Sequence, residues 1–172
     1  MKTAVLSTAA VLPSNRGSAL AIAALSGAIL VGLAVAAGRS PGPRWDLLLT
    51  AAPMIRVHVF AAVLALGIGG ALLIGAKGRA LHKALGWTWV AAMTTVAVSS
   101  IFIQEIHPGR YSWIHLFSGW TLIALPMAIA AIKRRSVRLH RRIMTALFVG
   151  GLVIAGAFTF VPGRLMWRVF LG

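Results

Sequence analysis

Four histidines recur in a regular pattern through the second half of the chain. His58 and His115 are 57 residues apart, and each is followed by an apolar run and then a basic turn. His82 and His140 are 58 residues apart, and each lies beside one of those turns. The pattern predicts an internal repeat of a helical hairpin. Paired imidazoles at matching positions can ligate haem iron or another metal ion.

The composition excludes several classes of function. Hydrophobic residues make up 59% of the 172 residues and charged residues only 11%, against roughly 25% charged in a soluble domain. We therefore expect one domain that lies in a lipid bilayer. The net charge of +15 does not predict nucleic-acid binding, because the cations lie in short clusters between apolar runs, where topology signals belong. The chain has no Cys and only two acids, Asp46 and Glu105, which excludes thiolate metal sites and argues against paired-carboxylate catalysis.

The apolar runs predict an all-α integral membrane protein with five transmembrane helices. An amino-terminal segment (residues 1–17) precedes a first span at residues 18–37, which holds 20 residues without a charge. That length crosses about 30 Å of hydrocarbon. The remaining spans are predicted at residues 54–76, 81–103, 112–132 and 143–161.

The last four spans should form a four-helix membrane domain at residues 54–161. It would consist of two repeated hairpins, residues 54–103 and 112–161, with the first span packed on the outside. We expect an interfacial helix near Trp45–Ala52 and an interfacial tail at residues 162–172, since Trp favours the headgroup region.

The cations predict how the chain is oriented. With five spans, the amino terminus and both basic turns lie on one side of the membrane, which holds eleven cations, whereas the other side holds six. The positive-inside rule places the cation-rich side in the cytoplasm of a bacterial inner membrane, with the carboxyl terminus outside. His58 and His115 then lie near the outer ends of their helices, and His82 and His140 at the cytoplasmic starts of theirs.

Two His levels, roughly 25 Å apart along the membrane normal, suggest haem b. The outer pair would come from spans two and four and the inner pair from spans three and five, which are diagonal partners in a bundle. Two facing imidazoles at one depth suit a haem iron, and we expect Lys83, Arg141 and Arg142 to pair with haem propionates. Two such haems would form a path for electrons across the membrane.

Each signal also has a simpler interpretation. A His at a membrane interface is often only a polar residue in a suitable place, and the repeat can be an inherited duplication that binds nothing. The basic turns are most simply topology determinants. Four glycines in the second span (Gly67, Gly69, Gly70 and Gly75) fit close helix packing, or room for a flat cofactor. Glu105 and His107, outside the repeat, would be able to bind a metal or pass a proton at a quinone site.

Parts of the chain resemble a bacterial family of predicted membrane proteins of unknown function (DUF 2306). The resemblance covers roughly Met54 to Arg164 and is carried by four stretches: Leu81–Trp87 with its His-basic-x-x-Gly pattern, and residues 114–118, 140–144 and 155–164. The layout of the four His is also similar to that of cytochrome b-561 proteins. That likeness implies two bis-histidine haems that move electrons from an inner reductant to an outer acceptor. The chain departs from it in having five predicted spans rather than six, and an inner His pair close to the membrane edge.

Three functions remain as hypotheses. The first is a bis-histidine b-type haem protein that carries electrons from quinol or a small reductant to an outer partner. The second is a non-catalytic accessory subunit or assembly factor of a respiratory membrane complex, with His sites that hold haem or copper briefly or not at all. The third is a small transporter, which the lack of acids in the spans argues against.

Overall fold

A computed structural model of the protein describes residues 42–103 and 113–171, with side chains from His115 onward in the second range. Within these ranges every regular element is helical and none is a strand. In chain order the elements are α1 (Trp45–Leu49), α2 (Pro53–Ile74), α3 (Ala80–Phe102), α4 (Trp113–Lys133), α5 (Val137–Ala146), a π-helix (Leu147–Ile154), α6 (Ala155–Phe158) and α7 (Leu165–Phe170). The predicted segment 1–17, the first span at 18–37, and the pair Glu105 and His107 lie outside the described residues.

Four described helices are long and apolar enough to cross a membrane. They are Pro53–Ile74, Ala80–Phe102, His115–Lys133 and Val137–Phe158; the last, formed by α5, the π-helix and α6, is called the last span below. Large apolar side chains face outward, with Phe60 73% exposed and Leu81 69% exposed. The hydrocarbon of a bilayer would keep such a surface away from water. The all-helical prediction is confirmed for the described residues, while the fifth span stays a prediction.

The four long helices form a closed ring. Helix α2 packs against α3, α3 against α4, and α4 against the last span, whose π-helix packs back on α2. The diagonal pairs are therefore α2 with α4 and α3 with the last span, as expected for a four-helix bundle with short connections.

Side chains from all four spans fill the centre of the bundle. Trp89 donates its Nε1–H to the carbonyl of Ala65 at 2.9 Å. A Cβ at Gly69 would lie 2.7 Å from Trp89 Nε1 and would overlap the ring of Phe148. Glycine at position 69 thus admits two aromatic side chains to the backbone of α2, which favours the close-packing interpretation of that glycine. The buried core adds Ala92, Met93, Ala124, Leu125, Leu147, Leu152 and Val153.

The last span begins earlier than the sequence predicted. Helix α5 starts at Val137, so the expectation of a loop over residues 133–142 and a span from residue 143 was wrong. Arg135 has φ 60°, and Ser136 N–H donates to the carbonyl of Ala131 at 2.9 Å. This is the Schellman arrangement that ends a helix within three residues. The next helix can begin at once because Arg is a good helix former.

The carboxyl-terminal tail packs on the short helix α1. Arg44 N–H donates to the carbonyl of Val169 at 2.8 Å, and the rings of Trp45 and Phe170 meet edge to face at 5.5 Å. Val169 is buried to 1% exposure. The carboxyl-terminal tail therefore packs against α1, at the end of the bundle where α2 begins and the last span ends.

Candidate functional site

All four repeated histidines lie on the inward-facing stripe of their helices. His58 is three residues before buried Ala61, and His115 is three before buried Ser118. His82 precedes buried Trp89 by seven residues, and His140 precedes buried Leu147 by seven. Residues three, four and seven apart share one face of a helix. Each of the four side chains is half-buried, so each faces the bundle at one of its ends.

Helix α3 fixes the ring of His58. Its Nδ1 lies 3.2 Å from the carbonyl oxygen of Val96 and 2.9 Å from Ser99 Oγ. A carbonyl oxygen only accepts, and the Ser99 hydroxyl already donates to the carbonyl of Thr95 at 2.6 Å. The Nδ1 atom therefore carries the proton and donates to both. This tautomer leaves a lone pair on Nε2, the atom with which an imidazole binds a metal.

The next residue of α3 connects the same level to α4. Ser118 donates its hydroxyl to Ser100 Oγ at 2.9 Å, and Ser118 lies one turn after His115 along α4. The Nε2 atom of His115 is buried. Consecutive serines on α3 thus join the helices that carry His58 and His115, which places both members of the predicted outer pair at one end of the bundle.

Helix α4 fixes the ring of His140 at the other end. The Nδ1 atom of His140 lies 2.9 Å from the carbonyl oxygen of Ala128, which again requires the proton on Nδ1 and leaves the lone pair on Nε2. His82 lies in the first turn of α3 and His140 in the first turn of α5. The predicted inner pair therefore stands at the same end of the bundle, beside the two basic turns.

The cations expected to meet haem propionates lie at the same end. Lys83, Arg141 and Arg142 are all exposed, next in sequence to the two inner histidines. They stand at the rim of the bundle rather than between its helices. Lys77 is placed differently, because its ammonium donates to the carbonyls of Leu73 at 2.6 Å and Gly75 at 2.7 Å, where it caps α2.

Sequence reasoning missed the hydroxyl groups at the outer level. Ser99, Ser100 and Ser118 are buried, and they connect the two histidine-bearing helices through α3. The sequence did contain a signal, because Ser99 and Ser100 are adjacent in an uncharged part of the span and Ser118 follows His115 by one turn. Buried polar groups in a membrane helix require partners, and that requirement points to the nearest inward-facing histidines.

The candidate ligands among the described residues are four half-buried imidazoles, two toward each end of the bundle. No group of three or more His, Asp or Glu side chains in the described ranges is placed to hold a metal ion. A structural zinc site takes four protein ligands, whereas haem brings its own nitrogen donors and asks the protein for axial ligands only. At each level one imidazole, that of His58 or His140, has its Nδ1 held by a backbone carbonyl oxygen of the neighbouring helix.

These features define a multi-pass helical membrane protein with an inward-facing histidine pair at each end of a four-helix bundle. Within that class, residues 55–170 match the model of the family described as predicted membrane protein (DUF2306), and the chain belongs to this family. The matched range covers the described spans from residue 55 onward and contains His58, His82, His115 and His140. No curated protein and no solved structure matches the chain significantly.

Proposed function

We propose that the protein binds haem b between the helices of its bundle and carries electrons across the membrane. His58 and His115 would hold the haem at the outer level, and His82 and His140 would hold the haem at the inner level. One observation carries the proposal. The Nδ1–H groups of His58 and His140 are held by carbonyl oxygens of the neighbouring helix, which leaves Nε2 of each as the ligating atom.

The diagonal arrangement supports the same proposal. The outer pair lies on α2 and α4 and the inner pair on α3 and the last span, and neither pair of helices is adjacent in the ring. Helices that face each other across the bundle would hold a haem between a histidine of one and a histidine of the other.

When bound, haem supplies a reversible one-electron change at iron. The protein would contribute position and environment. Val96 and Ala128 orient two imidazoles, the packed centre keeps water away, and Lys83, Arg141 and Arg142 offer positive charge to propionates at the inner rim. Quinol or a small reductant at the inner side and an acceptor at the outer side would complete the electron path.

The finer topology is also part of the proposal. We place the protein in a bacterial inner membrane, with a fifth span at residues 18–37, the amino terminus in the cytoplasm and the carboxyl terminus outside. The basic turns at Lys77–Arg79 and Lys133–Arg135 lie at one end of the bundle, and α1 and α7 lie at the other. The higher density of cations at the first end supports its cytoplasmic location.

An absorption spectrum of the purified protein tests the proposal. The protein is expressed with ample haem, purified in detergent, and measured oxidised and then reduced with dithionite, with haem quantified per chain. Two b haems per chain would support both levels, and one would support a single level. A colourless protein would overturn the proposal and leave the accessory or assembly role, with copper and zinc the next metals to assay.

Substitution of His58 provides the sharper test. We expect His58→Ala to lose at least half of the bound haem and to change the spectrum of what remains. Added imidazole should restore part of the loss by replacing the missing ligand. The control is Thr95→Ala, which removes an exposed hydroxyl from α3 one turn before Ser99. Equal haem content in both variants would show that His58 is not a ligand.

A further inference from the structure

A groove runs along the outside of the bundle between α3 and α4. Its volume is about 350 Å³, near the lower end of the ~300–1,000 Å³ usual for small-ligand clefts. The walls of the groove are apolar and are formed by Val90 of α3 and by Leu122, Pro126 and Ile129 of α4. Lys133 lies at one end of the groove. Among the described residues that line the groove, Lys133 carries the only charge.

The groove opens toward the lipid rather than into the bundle. Thr94, Pro126 and Ala130 line it and are exposed. The hydroxyl of Thr94 donates to the carbonyl of Val90 in its own helix at 2.8 Å, so it adds little polarity to the wall. A hydrocarbon chain is the natural occupant of such a surface in a membrane.

The length and the charge of the groove define the ligand further. From Leu122 to Lys133 the helix rises about 16 Å, which is roughly half of the ~30 Å hydrocarbon core, or the depth of one leaflet. Lys133 is the last residue of its span, at the level where headgroups begin. Arg134 and Arg135 follow it and are exposed. An acyl chain in the groove would therefore bring a headgroup phosphate to a cluster of cations.

We propose that this groove is a binding site for one anionic phospholipid, with an acyl chain along Val90 and Pro126 and the phosphate at Lys133. The proposal is independent of haem. It explains why Lys133, the last residue of α4, lies at the end of an apolar groove. Pro126 lines the same groove, and it has no backbone N–H.

Lipid titration followed by native mass spectrometry tests the proposal. The detergent-solubilised full chain is titrated with phosphatidylglycerol and with phosphatidylcholine of the same acyl chains. We expect phosphatidylglycerol to bind about five-fold more tightly, the effect of one cation near an anionic headgroup. Equal binding of the two lipids would overturn the proposal. Displacement of bound phosphatidylglycerol by millimolar inorganic phosphate would also overturn it, because the groove would then play no part.

Matched variants separate this site from the general basic surface. Lys133→Ala should lose the preference for phosphatidylglycerol, whereas Lys83→Ala, at the same end of the bundle but outside the groove, should keep it. Ala130→Trp should fill the groove and weaken both lipids, whereas Ala91→Trp, on an exposed face of α3 outside the groove, should weaken neither. The same response to both members of either pair would overturn the proposal. Melting of each variant without added lipid confirms that it is folded.

Discussion

The position of one proton decides what each inward-facing histidine of this protein can bind. At His58 and His140, a carbonyl oxygen of the adjacent helix accepts a hydrogen bond from Nδ1. The proton is thereby held on the nitrogen that faces the neighbouring backbone, and Nε2 keeps a lone pair with which an imidazole can bind a metal. The position of this proton cannot be predicted from the spacing of the histidines. The acceptors at Val96 and Ala128 are backbone carbonyl oxygens, and every residue has one.

Trp89 gives a first prediction at the scale of single residues. Trp89→Phe removes the indole N–H that reaches Ala65 in α2, and we expect it to lower stability by about 0.6–1.5 kcal/mol. Thermal melting in detergent measures the change. Trp87→Phe is the control, since Trp87 is 61% exposed and faces lipid. A larger loss in the Trp87 variant would contradict the packing described for the centre of the bundle.

Gly69 gives a second prediction. Gly69→Ala places a Cβ against Phe148 and Trp89, and overpacking of this kind costs about 1–3 kcal/mol. Gly67→Ala is the control, because a Cβ there has nothing within 4 Å and alanine is the better helix former by about 1 kcal/mol. Opposite shifts in melting temperature are expected. Matching shifts in the two variants would argue against close packing at Gly69.

At the scale of elements, apolar run lengths predicted α2, α3 and α4 to within a residue or two. The last span was placed six residues too late, because Arg138, Arg141 and Arg142 suggested a loop. Those cations are exposed on a helix whose other face carries His140 and leads to Leu147. The sequence did not predict the π-helix over residues 147–154 either. A π-helix depends on how a helix fits its neighbours, which apolar composition does not encode.

The two basic turns predict opposite effects for two lysines. Lys77 donates to two carbonyls at the end of α2, so Lys77→Met should destabilise the protein by about 1 kcal/mol. Lys83 lies in the first turn of α3, where a cation opposes the helix dipole, so Lys83→Met should be neutral or slightly stabilising. Thermal melting at low salt compares the two. A greater loss for Lys83→Met would contradict the capping role of Lys77.

At the scale of the whole molecule, the ends of the bundle differ in charge and in construction. One end carries the turns with Lys77, Arg79, Lys133, Arg134 and Arg135. The other carries α1 and α7, which are joined by the hydrogen bond from Arg44 to Val169. Sequence reasoning predicted which turns share a side, because spans alternate in direction. It did not predict that the tail would pack on α1, since neither short segment has a strong pattern of its own.

Cysteine labelling tests the orientation directly, because the chain has no Cys of its own. Ser136→Cys lies in the turn after α4, and Thr50→Cys lies just after α1; both positions are exposed. A membrane-impermeant maleimide applied to intact spheroplasts should label the Thr50 variant alone. Lysis should then expose the Ser136 variant. The reverse pattern would show that the basic turns face outward, against the positive-inside rule.

The packed layer of Trp89, Met93 and Phe148 between the two histidine levels has an energetic consequence. These three side chains are buried and none is titratable, so an electron that moved from one level to the other would cross this layer without a proton carried by it. Such a transfer moves net charge through the bilayer, and each elementary charge that crosses fully changes its energy by about 2.3 kcal/mol per 100 mV. Under the proposed function, the membrane potential would therefore shift the equilibrium of electron transfer between the two histidine levels.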